Sequence, residues 1–376
     1  MRPFAVPLVV PLGSRGHRAY QAAGAVIATL FVLLAPVLLE DYRITQLGQA
    51  LAYAVALLGL NLVTGISGQI SLGHGAMFGI GAYTTAILVS DHGWPFAGAL
   101  AVSGVVGVVF GVVIGLPALR LSGLYLAIVT ITAATAFPLV VVQPFAQELG
   151  TGGASGKPVV LDWGKPSWFL LDVSPVGFRF VLVGVVCAIV FALTGMLVRG
   201  RVGRAMMAVR DNPTAAAAAG VNLAQTKVGA FAFSTMLAGI GGSLFMLMVP
   251  IVSPDSVGFP LSLLFITAMI IGGETRVAGA LVGGFVMVFL PTVTSELALQ
   301  VPVLADLPQP GLLATVLYGV ILAICIFFLP QGVVPLVTAQ RERFIRFVPR
   351  GVPAAPAPHG PELPDRTSST QVPAPR

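Results

Sequence analysis

Residues 201–227 read RVGRAMMAVRDNPTAAAAAGVNLAQTK, the one long polar and basic interruption in a chain otherwise written in apolar residues. Everything around this stretch is lipid-like. Of the 376 residues, 56% are hydrophobic and only 9% charged, which cannot cover a water-facing surface at ordinary charge density. A helix needs roughly 20 apolar residues to cross a hydrocarbon core of about 30 Å. Ten segments approach that requirement: 19–39, 45–65, 69–90, 94–118, 122–142, 176–198, 228–250, 258–273, 277–295 and 310–329. The reading is an all-α, polytopic membrane protein of about ten transmembrane helices, the eighth short enough to be re-entrant. Residues 1–18 form a cytoplasmic N-terminus, 19–333 the membrane domain with 199–227 as a cytoplasmic loop, and 334–376 a basic, then Pro-rich, disordered cytoplasmic tail. The run from Pro3 to Leu12 is too broken by proline for a cleavable signal peptide.

The charges orient the chain, because Lys and Arg of short loops stay on the cytoplasmic side. With an inside N-terminus, the inner side carries Arg2, Arg15, Arg18, Arg120, Arg199, Arg201, Arg204, Arg210, Lys227, Arg276, Arg341, Arg343, Arg346, Arg350, Arg366 and Arg376. The outer side keeps Arg43, Lys157, Lys165 and Arg179. The net charge of +6 is thus a record of insertion and gives no reason to expect nucleic acid as a partner. Cys187 and Cys325 lie in apolar spans without metal-ligand spacing and read as packing residues. The external stretch 143–175 holds TGGASGKP and Trp163 and Trp168, whose rings suit the headgroup level. Its Lys157 is not followed by Ser or Thr, so it is no phosphate loop, and it reads as a flexible external gate or lid.

Ion-coupled carriers place ionisable side chains inside the membrane. Here Arg179 and Glu274 mark span ends, and His74 is the one titratable group well inside a span, expected to hydrogen-bond to a neighbouring helix. A secondary carrier is disfavoured by the missing carboxylates. An intramembrane enzyme with Ser71 as nucleophile and His74 as base lacks a third group, so no catalytic or metal-binding residue is assigned. No GxxxxGK[ST] motif is present, and any energy source lies on another chain.

Within 201–227, Gly203 is expected to break the exit from the sixth span. Arg204 to Arg210 then makes two helical turns with Met206 and Val209 on one side. Asn212 and Pro213 form an N-cap and first-turn pair, Ala215 to Ala219 is a run of the best helix former, and Gly220 supplies the stop. The second helix, about 10 Å long, is a slim rod able to enter a groove on another protein. An amphipathic helix on the membrane surface needs a larger apolar face than this one has.

Several ordered motifs between about residues 45 and 333 resemble the permease subunits of branched-chain amino acid type ABC importers. They are SGQISLGHGAMFGIGAYT at 67–84, LRLSGLYLAIVT at 119–130, TGGASG at 151–156, GRAMMAVRDNPTAAAAAGV at 203–221 and FLPQGV at 328–333. The resemblance implies that Gly203, Arg204, Arg210, Asp211, Asn212, Ala216 and Gly220 lie in the loop that contacts an ATPase. It also implies a second, homologous permease subunit, two cytoplasmic ATPase subunits and an extracytoplasmic solute-binding protein, in the inner membrane of a prokaryote. No cofactor is expected on this chain, ATP being used by the partner subunits. GGETRVAG at 272–279 departs from the family's usually uncharged, glycine-rich run, so that region is expected to be altered.

The third span is rich in glycine at 68, 73, 75, 79 and 81, which permits close helix packing or an unwound stretch lining a cavity. Ser67, Gln69, Ser71, His74, Tyr83, Tyr125 and Thr130 are the candidate polar features of a translocation pathway. A second cluster at 272, 273, 279, 283 and 284 is a candidate partner for it in the other half of the molecule. Gly107, Gly111 and Gly115, four apart, read as a helix contact face. The absence of fixed charge within the spans points to a solute with an uncharged side chain, leucine, isoleucine or valine first. Urea, short amides and aromatic amino acids remain as alternatives.

Overall fold

A computed structural model describes residues 8–11, 15–121, 123–159, 173–300, 319–324, 327–328, 332–342 and 345–348. In chain order the elements are strand β1 (Leu8–Pro11) and helices α1 (Arg15–Leu38), α2 (Asp41–Leu60), α3 (His74–Ser90), α4 (Phe96–Gly115), α5 (Leu124–Val141) and α6 (Pro144–Glu148). Strand β2 (Lys157–Pro158), α7 (Pro175–Arg199), α8 (Arg201–Asp211), α9 (Pro213–Ala218), α10 (Leu223–Met248), strand β3 (Ile251–Val252), α11 (Phe259–Gly272) and α12 (Val277–Gln300) follow. A short helix Val333–Glu342 and strand β4 (Ile345–Val348) come last. The chain divides into a small unit, 1–25 with 340–376, and a helical body, 26–339. In the small unit β1 and β4 pair in parallel, Leu8 opposite Ile345, so the two ends of the chain come together.

Seven helices of the described residues are long and apolar enough to cross a membrane. They cover seven of the ten expected spans, and α1 answers to the first. The expected span 69–90 is shorter than predicted. Residues 67–73 are not helical and α3 begins only at His74. Most of the tenth span, together with Trp163, Trp168, Cys325, residues 329–331 of FLPQGV and the Pro-rich tail, lies outside the described residues. The eighth is no re-entrant segment: the chain enters by β3 at one end of the body and leaves α11 at the other.

Contacts assign the loops to two ends. Arg210, Gly65, Glu274, Asn61, Arg276, Gln69 and Lys227 meet at one, which the arginines of α7 and α8 make basic. At the other, Ser174 bonds Asp41 at 2.5 Å, Lys157 pairs with Asp91 at 2.5 Å, and β2 pairs with β3. Of the stretch expected as a flexible lid, residues 143–159 are described, and they are tied to this end: Thr151 Oγ1 donates to the Val141 carbonyl at 2.8 Å, and Lys157 pairs with Asp91.

The core lies around α2 and α10, whose spans are 83% and 72% buried against 28% for α4 and α5. Small residues make this possible, since a lipid-exposed chain gains little by burying apolar surface and associates through close packing and hydrogen bonds. A Cβ on Gly107 would sit 2.6 Å from the Thr235 carbonyl and one on Gly115 3.2 Å from Phe231, so α4 lies on α10 by the predicted face. Tyr53, Phe78, Phe245 and Phe265 interlock at centroid distances of 5.2–5.8 Å where α2, α3, α10 and α11 meet. Thr85 bonds Ser103 at 2.9 Å and Ser243 at 2.7 Å, tying α3 to α4 and α10 with hydroxyls that have no water to turn to.

Candidate functional site: a docking ridge and a midplane junction

The ridge is built by capping. The exit from α7 breaks at Gly200, which closes α7 and opens α8, and not at Gly203 as the sequence suggested. Gly203 is instead buried inside α8, where a Cβ would run into the Val198 carbonyl, so it sets how closely α8 folds back on α7. Arg204 Nη1 caps the Arg199 carbonyl at 3.1 Å, a cation at a helix C-terminus. Met206 and Val209, expected on one side of the helix, are both buried, Met206 in a cluster with Leu62, Ile66 and Ala230. Asn212 Oδ1 accepts from the Ala215 amide at 3.0 Å and Pro213 occupies the first turn of α9. At the far end Gly220 adopts φ +85° while its own amide and that of Val221 bond the carbonyls of Ala217 and Ala216, both at 3.0 Å. These are the paired bonds of a glycine helix stop.

Of α9 only Ala216 is buried, while Thr214, Ala215, Ala217 and Ala218 are exposed and uncharged. The backed face is inward and the free face outward. Arg210 turns the other way: its Nη1 donates to the Gly65 carbonyl at 2.8 Å and its Nε to Asp211 at 3.0 Å, so it is occupied within the subunit.

The second place lies where two shorter helices, α3 of 17 residues and α11 of 14, start. α3 begins at His74 after the non-helical 67–73, and α11 begins at Phe259 after residues 249–258, each chain arriving from the opposite end. Their N-termini meet: the Gly75 amide donates to Ser262 Oγ at 2.9 Å, and Ser262 Oγ donates to the Gly258 carbonyl at 2.9 Å. Any side chain at Gly75 would strike the Gly258 carbonyl. α5 closes a third side, Thr130 Oγ1 accepting from the Leu72 amide at 2.9 Å. The predicted partner cluster is thus displaced. Gly272, Gly279, Gly283 and Gly284 pack α12 tightly against α11 and α2 at the basic end, and the true counterpart of 67–73 is 249–258.

His74 is 1% exposed, with Nε2 2.8 Å from Ser234 Oγ and Nδ1 3.2 Å from Ser71 Oγ. Ser234 donates its own proton to the Gly59 carbonyl at 2.6 Å, so it accepts from Nε2–H and leaves Nδ1 to accept from Ser71. The imidazole is neutral in this arrangement and joins α3 to α10, as expected of a polar group that must find a partner in lipid. Ser71 is within reach of a base, the third group is the hydroxyl of Ser234, and both Ser71 and His74 are buried.

Ser71, His74 and Thr130 are therefore brought together. Ser67 and Gln69 bond one another at 2.7 Å nearer the basic end, Tyr83 sits higher on α3 with its hydroxyl 3.4 Å from the Val252 carbonyl, and Tyr125 is 70% exposed on the outer face of α5. All but Tyr125 are buried inside this one subunit. Ser234, Ser262, Gly258 and Gly59 were missed, although Ser234 and Ser262, hydroxyls in apolar spans, carried the signal that Ser71 did.

Residues 42–328 match the family model for the branched-chain amino acid transport system permease component. The chain belongs to that family. It is 28% identical over 311 residues to the high-affinity branched-chain amino acid transport system permease protein LivM of Salmonella typhimurium, covering 77% of this chain and 69% of that one. Over 249 residues it is 24% identical to the corresponding LivH of Escherichia coli, covering 62% and 79%. A probable LivH of Methanocaldococcus jannaschii is 32% identical over 120 residues, 31% of this chain and 38% of its own. No solved structure matches.

Proposed function

We propose that this permease is one of a pair of homologous membrane subunits in an ATP-driven importer of branched-chain or other uncharged-side-chain amino acids. Two cytoplasmic ATPase subunits use the ATP, no cofactor being bound here, and an extracytoplasmic binding protein delivers the solute. The observation that carries the reading is the exposed, uncharged α9, capped at both ends and held on an α8 that is anchored by its buried Gly203, Met206 and Val209. A rigid rod with a free outward face passes on displacement; a floppy loop would absorb it. Closure of the ATPase pair moves α8 and α9 and switches the pathway between outward and inward access. No bond of the solute is made or broken on this chain, and the sealed Ser71–His74 pair supports that reading.

The solute assignment draws on the relatives and on the junction, where Ser71, His74, Thr130 and Ser262 offer uncharged polar groups and two helix N-termini, suited to the ends of a zwitterion. Uptake by the reconstituted complex tests it: leucine, isoleucine and valine should be carried and should compete with one another. Transport of glutamate or lysine without them would overturn the assignment, while urea transport would overturn the solute alone.

The basic end is placed in the cytoplasm of a prokaryotic inner membrane, with both termini inside. Parallel pairing of 8–11 with 345–348 supports an even number of crossings between them. Single cysteines at Asn212 and Ser368, on a background without Cys187 and Cys325, should resist impermeant thiol reagents in intact cells. Labelling of either would reverse the orientation.

A further inference from the structure

The Arg210 side chain is committed to an unusual place. α2 does not end as an α-helix: Asn61–Ile66 is wound as a π-helix, with the Ser67 amide bonding the Leu62 carbonyl at 2.9 Å, and single turns of this kind concentrate where helices serve function. Arg210 Nη1 takes the Gly65 carbonyl at this end, 2.8 Å away. Its aliphatic stem lies across Gly68, which has φ +70° and no room for a Cβ beside that stem. From the opposite side the same turn is gripped by the corner between α11 and α12. A Cβ on Gly65 would strike the Glu274 backbone, and Asn61 Nδ2 donates to the Arg276 carbonyl at 3.1 Å.

Immediately beyond lies the non-helical 67–73, leading to Ser71 and His74 at the junction. The surroundings hold two buried acceptors without a hydrogen-bond partner, Asn61 Oδ1 and Gln69 Oε1. Such groups are costly to leave unpaired, and here they lie four residues before and four residues after Gly65 in the chain.

Resting on the reading of α8 and α9 as the ATPase-facing pair, we propose that Arg210 is not itself a docking contact but a positioning residue. It carries movement of α8 to the π-turn of α2 and through 67–73 to the midplane junction. Its fork is needed because one arm holds Asp211 on its own helix while the other holds the Gly65 carbonyl, which a lysine ammonium cannot do with the same geometry.

The test uses the complete complex in proteoliposomes, with a reporter cysteine at Ile70, which is 42% exposed, on a background lacking Cys187 and Cys325. Thiol reactivity at that position is followed with ATP plus vanadate and with ADP, beside the ATP hydrolysed per solute carried. Two variants approach the contact from its two sides, Arg210→Lys and Gly68→Ala. Both should retain the ATPase subunits through purification, lose the nucleotide-dependent change in reactivity, and raise ATP consumed per solute by about tenfold, a coupling loss of the size expected for one such contact. The proposal is overturned if the unaltered complex shows no nucleotide-dependent change, if both variants keep the change and the normal ratio, or if Arg210→Lys releases the ATPase. A different failure strikes the docking reading: Ala217→Arg on the free face of α9 leaving ATPase binding intact would mean that the motor sits elsewhere.

Discussion

The α8–α9 ridge and the α3–α11 junction are made of the same kinds of residue, glycines and small polar side chains, but they use them in opposite ways. In the ridge the caps act on near neighbours, Asn212 on Ala215 and Gly220 on Ala216 and Ala217, while Met206 and Arg210 of α8 reach back to the end of α2 at Leu62 and Gly65. At the junction each acts on a distant helix: Gly75 meets Ser262, and His74 meets Ser234. Local devices leave a surface free for a partner, whereas long-range devices consume it. The ridge can therefore be altered with the fold intact, and the junction cannot.

The largest effect should come from Gly75→Val. A branched side chain at a backbone contact this close cannot be accommodated by moving a flexible neighbour, because the obstacle is the Gly258 carbonyl. Overpacking against backbone in a dense core should cost about 4 kcal/mol or more, read as loss of the folded fraction in detergent. A stable, fully folded Gly75→Val protein would break the contrast between the two regions.

Next is Ser234→Ala, which removes the acceptor of His74 Nε2–H and should destabilise the subunit by about 2 kcal/mol, since a buried donor is left unmade. Its thermal midpoint should fall while ATPase binding is unchanged. If binding falls and the midpoint does not, the division of labour is wrong.

Gly220→Leu should cost about 1.5 kcal/mol through the left-handed conformation alone, as no atom lies within 4 Å of a Cβ there. The protein should insert and fold, yet lose ATP-dependent uptake, because the stop of α9 would be remade. Full uptake would remove α9 from the coupling pathway. The smallest effect is that of Asn212→Ala, about 1 kcal/mol for a lost N-cap. It should appear as faster hydrogen exchange at the amides of Ala215 and Ala216, with unchanged exchange in α10.

The same contrast explains what could be read in advance. The ridge was legible in detail because caps and stops are interactions across three to five residues, all present in one quoted line. The exception, Gly203 for Gly200 as the break, is informative: both glycines permit it, and only the packing of α8 against Val198 decides which is used. The contact face of α4 was legible because four-residue spacing already places Gly107, Gly111 and Gly115 in one row. The second glycine cluster misled because glycine marks close approach without naming the partner. Gly272 and Gly279 approach one another, while the real counterpart of 67–73 around Gly258 has few glycines to signal it.

Composition and periodicity by themselves determined that the chain is a bundle of membrane helices, where its polar loop lies, how that loop is capped and which end is basic, because lipid allows few structures and charges record insertion. Only the tertiary structure decided that α3 and α11 are shortened helices meeting N-terminus to N-terminus, that most of the expected pathway groups are packed inside one subunit, and that Arg210 points inward to Gly65. Those outcomes depend on which of many small residues face each other across a bilayer, a choice settled by backbone carbonyls a few ångströms apart and not by any pattern along the chain.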